Sequence, residues 1–191
     1  FRLSEEENRR MYDAKRAALS AVVDQHAITI GPDTRALEIG CGVGYWTEYL
    51  QSRGVRTYTG NDITQISVSR LRDRFPEYQF IEGDAGSTTL PAATFDLALM
   101  IDVTQHITDD RAFARALANV WNSIVPGGVF LATFWDPEQN MLMATKLRLN
   151  RIEKPRPLAA YTAVLGPSAR ILATVPFNDK QLVAIRRVPA A

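Results

Sequence analysis

Near the start of the chain, Met11, Ala14, Ala18, Leu19, Val22 and Val23 recur at helical spacing, which predicts one amphipathic helix running to about Gln25. Ser4 followed by Glu7 has the form of a capping box, Glu5 and Glu6 sit where the helix dipole favours negative charge, and Gly31-Pro32 supplies a stop. From Arg35 the pattern changes to short apolar runs separated by longer helical stretches. The runs at 35–39, 56–61, 78–82, 96–101 and 129–135 read as strands, and Tyr45–Arg53, Ile66–Phe75 and Asp110–Ile124 as helices, the last closed by a Pro126-Gly127-Gly128 turn. This alternation predicts βαβ units with right-handed crossovers, and hence an open parallel sheet covered on both faces. Beyond Asp136 the rhythm gives a helical stretch around Met141–Arg151, a Pro-rich break at Lys154–Pro157 and a short helix at Leu158–Leu165. Two final strands, 169–175 and 181–188, are spaced as an antiparallel hairpin. The expected fold class is α/β, with seven strands that are mostly parallel.

The chemistry concentrates in ALEIGCGVGYWTEYL (36–50), where Gly40, Gly42 and Gly44 fall between a strand and a helix. Glycine removes the side chain that would keep a ligand from backbone N–H groups, and it tolerates positive φ in a tight turn. In an open α/β sheet this is also where ligands enter, outside the carboxyl ends of the strands. A dinucleotide fingerprint would need glycine at 45 or 47, where Tyr45 and Thr47 stand, and no phosphate-loop pattern is present. Glu38 is expected to place negative charge near the mouth of the crevice, which suits a cationic ligand. Asp62 follows the second strand, where a carboxylate can accept both ribose hydroxyls, and Asp84 follows the third, where it can accept from an adenine amino group. Each aspartate alone is also what an ordinary surface turn carries; the set together specifies a nucleoside.

Composition narrows the class. With 191 residues, 46% hydrophobic and 23% charged, the chain can bury the core of one globular domain. Its single cysteine, Cys41, excludes an internal disulfide, and one Cys with two His excludes a Cys/His metal framework, so no metal is expected and a cytoplasmic setting is. No apolar run approaches the roughly 20 residues of a membrane-spanning helix. Charge is uneven: residues 1–140 hold 13 Lys/Arg against 19 Asp/Glu, and residues 141–191 hold 9 against 2. A basic C-terminal quarter either attracts an anionic acceptor or nucleic acid, or simply forms a solvated face and guards edge strands.

These residues resemble the class I S-adenosylmethionine-dependent methyltransferases of small-molecule type. ALEIGCGVGYW is similar to the family's glycine motif, YTGNDIT to its second-strand acidic motif and FIEGDAGSTTLP to its third-strand segment. FDLALMIDVTQHITD and LANVWNSIVPGGVFLATF look like the fourth and fifth strands, so the likeness runs in order from about Arg35 to Trp135. It implies a Rossmann-like sheet, S-adenosyl-L-methionine as cofactor and S-adenosyl-L-homocysteine as product. It further implies that Glu38 and Gly40 hold the methionine end, that Gly42 and Gly44 shape the loop beneath, and that Asp62 binds the ribose. Ile63 would lie against the adenine, Asp84 and the backbone of Ala85 would read its edge, and Ile101, ending the fourth strand, would offer its backbone to the amino group.

His106 is the candidate general base if the acceptor is a hydroxyl, because an imidazole titrates near neutral pH. Gln105 stands where relatives commonly carry an acid before that histidine, which removes the obvious acidic partner. Tyr12, Trp46 and Trp135 are candidates to wall the acceptor site. The implied organisation is one domain over 1–191: a helical lid (1–30), a cofactor-binding core (35–135), an acceptor-binding region (136–168) and the terminal hairpin (169–188). The expected partner is a small-molecule acceptor, a metabolite or natural product. RNA or another macromolecule, or a cofactor-binding role without turnover, are the alternatives.

Overall fold

The computed structural model describes residues 4–135 and 152–189. The N-terminal helix α1 (Glu5–Gln25) starts on the capping box read from the sequence, with Ser4 and Glu7 exchanging backbone and side-chain bonds. It is followed by β1 (Arg35–Ile39), α2 (Tyr45–Ser52), β2 (Thr57–Asp62), α3 (Gln65–Arg74), β3 (Gln79–Glu82) and β4 (Phe95–Met100). A short turn of 3₁₀ helix at Thr104–His106 leads to α4 (Asp110–Ser123), β5 (Ile124–Phe134), α5 (Leu158–Leu165), β6 (Ala169–Phe177) and β7 (Lys180–Arg187). The segment expected to be helical around Met141–Arg151 lies outside the described residues.

The strands form one seven-stranded sheet in the order β3-β2-β1-β4-β5-β7-β6. β1 to β5 are parallel, and β7 runs antiparallel to both β5 and β6. Alternate side chains on the strands feed opposite faces. Leu97, Leu99, Val129, Leu131, Leu182 and Ala184 join one core with α1, α2 and α3. Ala98, Met100, Phe130, Ala132, Val183 and Ile185 join a second with α4 and α5. At the opposite edge from the strand carboxyl ends, Asp96 fixes the β1/β4 register by accepting the Arg35 backbone N–H at 2.9 Å and both arms of its guanidinium at 2.8 and 2.9 Å.

Two local readings need correction. Pro126-Gly127-Gly128 is not a turn ahead of the fifth strand but lies within β5. Phe95 pairs with Ile124 and Leu97 with Val129, so four residues of β5 stand opposite Asp96 alone and bulge away. Proline has no N–H for the ladder, and Gly127 takes φ 90°. The hairpin is longer than its apolar runs suggest: β6 and β7 meet at a two-residue turn in which Asn178 adopts φ 59°.

Glu38, expected to place its charge near the mouth of the crevice, is instead buried within β1. It is 2% exposed, on the face covered by α2, and its Oε2 accepts from Tyr58 OH at 2.6 Å and Thr47 Oγ1 at 3.0 Å. Burial pushes the carboxyl up to about 7, with the two hydroxyl donors opposing and Asp62 adding to the rise. The unfolded chain releases this proton near 4.5, so across pH 4.5 to 7 the folded state binds a proton that the unfolded state has lost. Stability therefore falls as pH rises through that window, by on the order of 3 kcal/mol. Urea unfolding at pH 5 and pH 8 should show this decline, and Glu38→Gln should flatten it; parallel profiles for the two proteins would contradict the assignment.

Candidate active site

The sheet order places β1 and β4 side by side although β2 and β3 intervene in the chain, which makes their boundary the point where winding reverses. A cavity of about 580 Å³ opens there, within the range of small-molecule sites. Its walls come from the carboxyl ends of the strands and the loops that leave them: Gly40 after β1, Asp62 and Ile63 at β2, Gly83, Asp84 and Ala85 after β3, and Asp102, Val103 and His106 to Asp109 after β4.

The glycine loop is built for close approach. Gly40, Gly42 and Gly44 all take positive φ, at 73°, 50° and 83°. A Cβ on Gly40 would collide with the Cγ2 of Val103, and one on Gly44 would stand 2.5 Å from Leu71. The loop is tied to β2: the amides of Gly40 and Cys41 both donate to the Asn61 carbonyl, at 2.7 and 3.3 Å. Gly42 N–H donates to Asp62 Oδ2 at 2.8 Å.

Asp62 is 8% exposed, and its Oδ1 accepts from both the amide and the hydroxyl of Thr64, at 2.9 and 2.7 Å. A carboxylate offers about four acceptor sites. Three are filled, so Asp62 has capacity for one further donor and not the two expected. Ile63 beside it is 69% exposed, an apolar side chain left open at the cavity wall. Asp84 is exposed, with Oδ1 holding the Gly86 amide at 2.8 Å in a tight turn.

The structure thus brings Gly40, Asp62, Ile63, Asp84, Ala85 and His106 to one cavity. Other expected residues lie elsewhere. Glu38 is buried beneath the loop, and Gly42 and Gly44 shape the loop without lining the cavity. Ile101 follows the end of β4 and is buried in the core on the α1 side. Trp46 packs edge-on against Tyr45 and Tyr49 and is 6.1 Å from the Phe177 ring. Trp135 is buried, with its indole N–H on the Asp179 carbonyl at 2.6 Å and the Lys180 ammonium 5.1 Å from its ring. The Tyr12 ring lies 4.5 Å from that of Tyr45, tilted by 39°, and faces the Lys15 ammonium at 5.4 Å. These three rings serve packing and cation–π contacts instead of the cavity wall.

Two acids at the site escape the motif reading. Asp102 lines the cavity at φ 59°, its amide on Thr133 Oγ1 at 2.7 Å, its carboxylate holding Lys15 at 2.6 Å and Lys180 at 2.7 Å. Burial opposes its charge, but Lys180 and Lys15 hold the carboxyl below its ordinary range. Its place directly after β4 is the same signal that exposes Asp62 and Asp84. Glu153, by contrast, carries no such signal. Its Oε1 lies 3.5 Å from His106 Nδ1, supplying from a distant segment the acidic partner that Gln105 does not.

Residues 36–128 match the methyltransferase domain family. The chain is 28% identical over 130 residues to 2-methyl-6-phytyl-1,4-hydroquinone methyltransferase of Synechocystis, covering 66% of this chain and 39% of that protein. It is 32% identical over 123 residues to malonyl-[acyl-carrier protein] O-methyltransferase of Serratia marcescens, covering 63% and 46%. The chain therefore spans less than half the length of these relatives. The crystal structure of the N-methyltransferase NodS of Bradyrhizobium japonicum in complex with S-adenosyl-L-homocysteine superposes with TM-score 0.70 at 19% identity, over 96% of this chain and 88% of that one. At that identity the likeness is one of fold. The matched domain spans the glycine loop and the aspartates that line the cavity, and the fold around them is the one seen in that N-methyltransferase.

Proposed function

We propose that the protein binds S-adenosyl-L-methionine in the cavity at the β1/β4 boundary and transfers its methyl group to a small-molecule acceptor. The observation that carries this reading is the meeting of a bare, left-handed Gly40, an acceptor on Asp62 and an open apolar Ile63 around one cavity. These features fit an adenosyl group: Ile63 offers a face for the base, Asp84 an acceptor at its edge beside the Ala85 backbone, and Asp62 an acceptor for one ribose hydroxyl. Gly40 allows the methionine end to lie against main chain. Bound there, the cofactor supplies an electrophilic methyl carbon on a sulfonium and leaves as S-adenosyl-L-homocysteine.

The protein's part is mainly to hold the acceptor in line, an effect worth roughly 7–11 kcal/mol of barrier. His106, with its side chain 57% exposed on the cavity wall, is placed to take a proton from a hydroxyl acceptor. We assign α1 the part of a cover, because Lys15 fastens it to Asp102 on the cavity wall. The segment 152–165 is assigned to the acceptor side, since Lys154 and Arg156 anchor it to Asp110 at the start of α4.

A small molecule is favoured over nucleic acid because four of the six described basic residues of the C-terminal quarter are engaged within the fold, leaving Arg170 exposed and Arg186 with an unbonded Nε. Lys154 and Arg156 hold Asp110, Lys180 holds Asp102, and Arg187 donates to the carbonyls of Trp121, Asn122 and Ile124. The hydroquinone methyltransferase relative supports the same class. The buried, unpaired Cys41 suits a reducing, cytoplasmic setting.

Incubation with methyl-labelled S-adenosyl-L-methionine and fractionated cell extract should move label into a low-mass product, identified by its mass. Label found solely in RNA or protein would overturn the acceptor class. Calorimetry should show Asp62→Ala weakening cofactor binding by about 1.5–3 kcal/mol, the range for hydrogen bonds to a charged group; unchanged affinity would remove Asp62 from the site. Gly40→Ala should cost about tenfold or more in affinity through strain at positive φ and collision with Val103. Adding Val103→Ala should recover part of that loss, whereas no recovery would show that the collision is not the cause.

A further inference from the structure

The carboxyl edge of the sheet continues past the cavity. Asp84 follows β3, Asp62 ends β2, Gly40 follows β1 and Asp102 follows β4, and β5 and β7 come next. Because β7 runs against β5, with Gln181 opposite Phe134, its first residue, Lys180, stands at this same edge. An adenosyl ligand reaching from Asp84 to Gly40 takes the β3-to-β1 side, which leaves the acceptor the side of β4 and beyond. β7 lies two strands past β4, about 10 Å at ordinary strand spacing, and the Lys180 side chain crosses that gap to reach Asp102.

There one carboxylate meets two ammonium groups. Asp102 Oδ2 accepts from Lys15 at 2.6 Å and Oδ1 from Lys180 at 2.7 Å, and the two lysine side chains are only 5% and 10% exposed. An ammonium carries three N–H bonds. Each of these uses one, since neither has another hydrogen-bond partner among the described residues. The rings of Tyr12 and Phe177 lie 5.4 and 5.7 Å from Lys15 Nζ, and that of Trp135 5.1 Å from Lys180 Nζ. Ring faces attract the charge without neutralising it. The half-buried Tyr12 also has a hydroxyl with no hydrogen-bond partner among the described residues. Burial raises its pKa, Asp102 adds to the rise and Lys180 opposes it, so both lie within electrostatic reach of the phenol. Buried donors without acceptors and cations in excess of anions each cost stability. Such a local conflict marks a place where function overrides packing. One monoanion would bring Lys15, Lys180 and Asp102 to neutrality, whereas a phosphate dianion would overshoot, and the flanking rings suit an organic group.

We propose that Lys15, Lys180 and the Tyr12 hydroxyl form a subsite for a carboxylate of the methyl acceptor, which makes the substrate an organic carboxylate. This rests on the protein acting as a methyltransferase. With its lone pairs held by ammonium groups, that carboxylate anchors the acceptor and stays free in the product.

Proton–nitrogen spectra of ¹⁵N-labelled protein saturated with S-adenosyl-L-homocysteine give the test. Acetate and benzoate serve as probes, acetamide and benzamide as neutral isosteres, and the Trp135 indole as reporter, assigned with a Trp135→Phe variant. Each carboxylate should bind about tenfold or more tighter than its amide, as charge-assisted hydrogen bonds require. Lys180→Met should abolish this preference, Lys180→Arg should retain it and Tyr12→Phe should reduce it. Lys180→Met leaves Lys15 and Asp102 as a one-to-one pair, so its melting temperature should hold. Equal affinities for acid and amide in the unaltered protein, or a preference that survives Lys180→Met or Tyr12→Phe unchanged, overturn the proposal. Affinity for S-adenosyl-L-homocysteine should be the same in Lys180→Met; a loss of about tenfold would give the cations to the cofactor's own carboxylate and also overturn it. So would a labelled product that lacks a free carboxylate. If the unaltered protein binds no S-adenosyl-L-homocysteine, the methyltransferase reading fails, and titration of the protein alone with the same probes then reports on the carboxylate site by itself.

Discussion

The site depends on one constraint of chain winding. From β1 the chain lays down β2 and β3 to one side, then returns to place β4 and β5 on the other. The connections leaving β1 and β4 turn away from each other, and no loop can close the space between their carboxyl ends. Parallel strands make that space useful. Each delivers its following loop to the same edge of the sheet, so Gly40, Asp62, Asp84 and Asp102 meet although 62 residues of sequence separate the first from the last. An antiparallel β4 would have sent its loop to the opposite edge, where Arg35 and Asp96 close the sheet.

Charge within this space differs from what the acidic residues alone suggest. Glu38 lies outside the cavity lining, buried beneath the glycine loop, where burial raises its carboxyl to about 7 and two hydroxyls cover it. Asp62 is largely compensated by backbone amides, and Asp102 by two ammonium groups. Asp84 and Asp109 are the exposed acids of the wall. The crevice is therefore better described as an array of directed acceptors than as a negative well. Directed acceptors reward a ligand for its hydroxyl and amino positions, and they lose less to salt than a diffuse field does.

Much of this was legible in the sequence because it is local. The capping box at Ser4 and Glu7, the strand-to-helix glycines and the acids following β2 and β3 each declare themselves within a few residues. Strand positions hold to within a residue or two for β1 to β4, since apolar alternation fixes them. What failed was of two kinds. Trp46 and Trp135 lie close in sequence to the motifs, yet side-chain direction, which composition does not carry, sends them into the core. Lys15, Lys180 and Glu153 act across 87, 78 and 47 residues of sequence, and no spacing rule reaches so far. Asp102 lies between these cases: its position after β4 was readable, but its lysine partners were not.

Those partners explain why aromatic residues cluster here without walling the cavity. One carboxylate facing two buried ammonium groups leaves an excess positive charge, which is costly in a poorly solvated setting. Lys15 lies 5.4 Å from the Tyr12 ring and 5.7 Å from Phe177, and Lys180 lies 5.1 Å from Trp135. Ring faces absorb part of that excess without adding a competing anion. The arrangement also fixes Asp102 in its left-handed conformation, because amide, carboxylate and both lysines constrain it together. α1 and the start of β7 thereby act on the cavity wall through one residue. Loosening either element would free a charge at the edge of the site, so the ends of the chain are coupled electrostatically to the loop that carries His106.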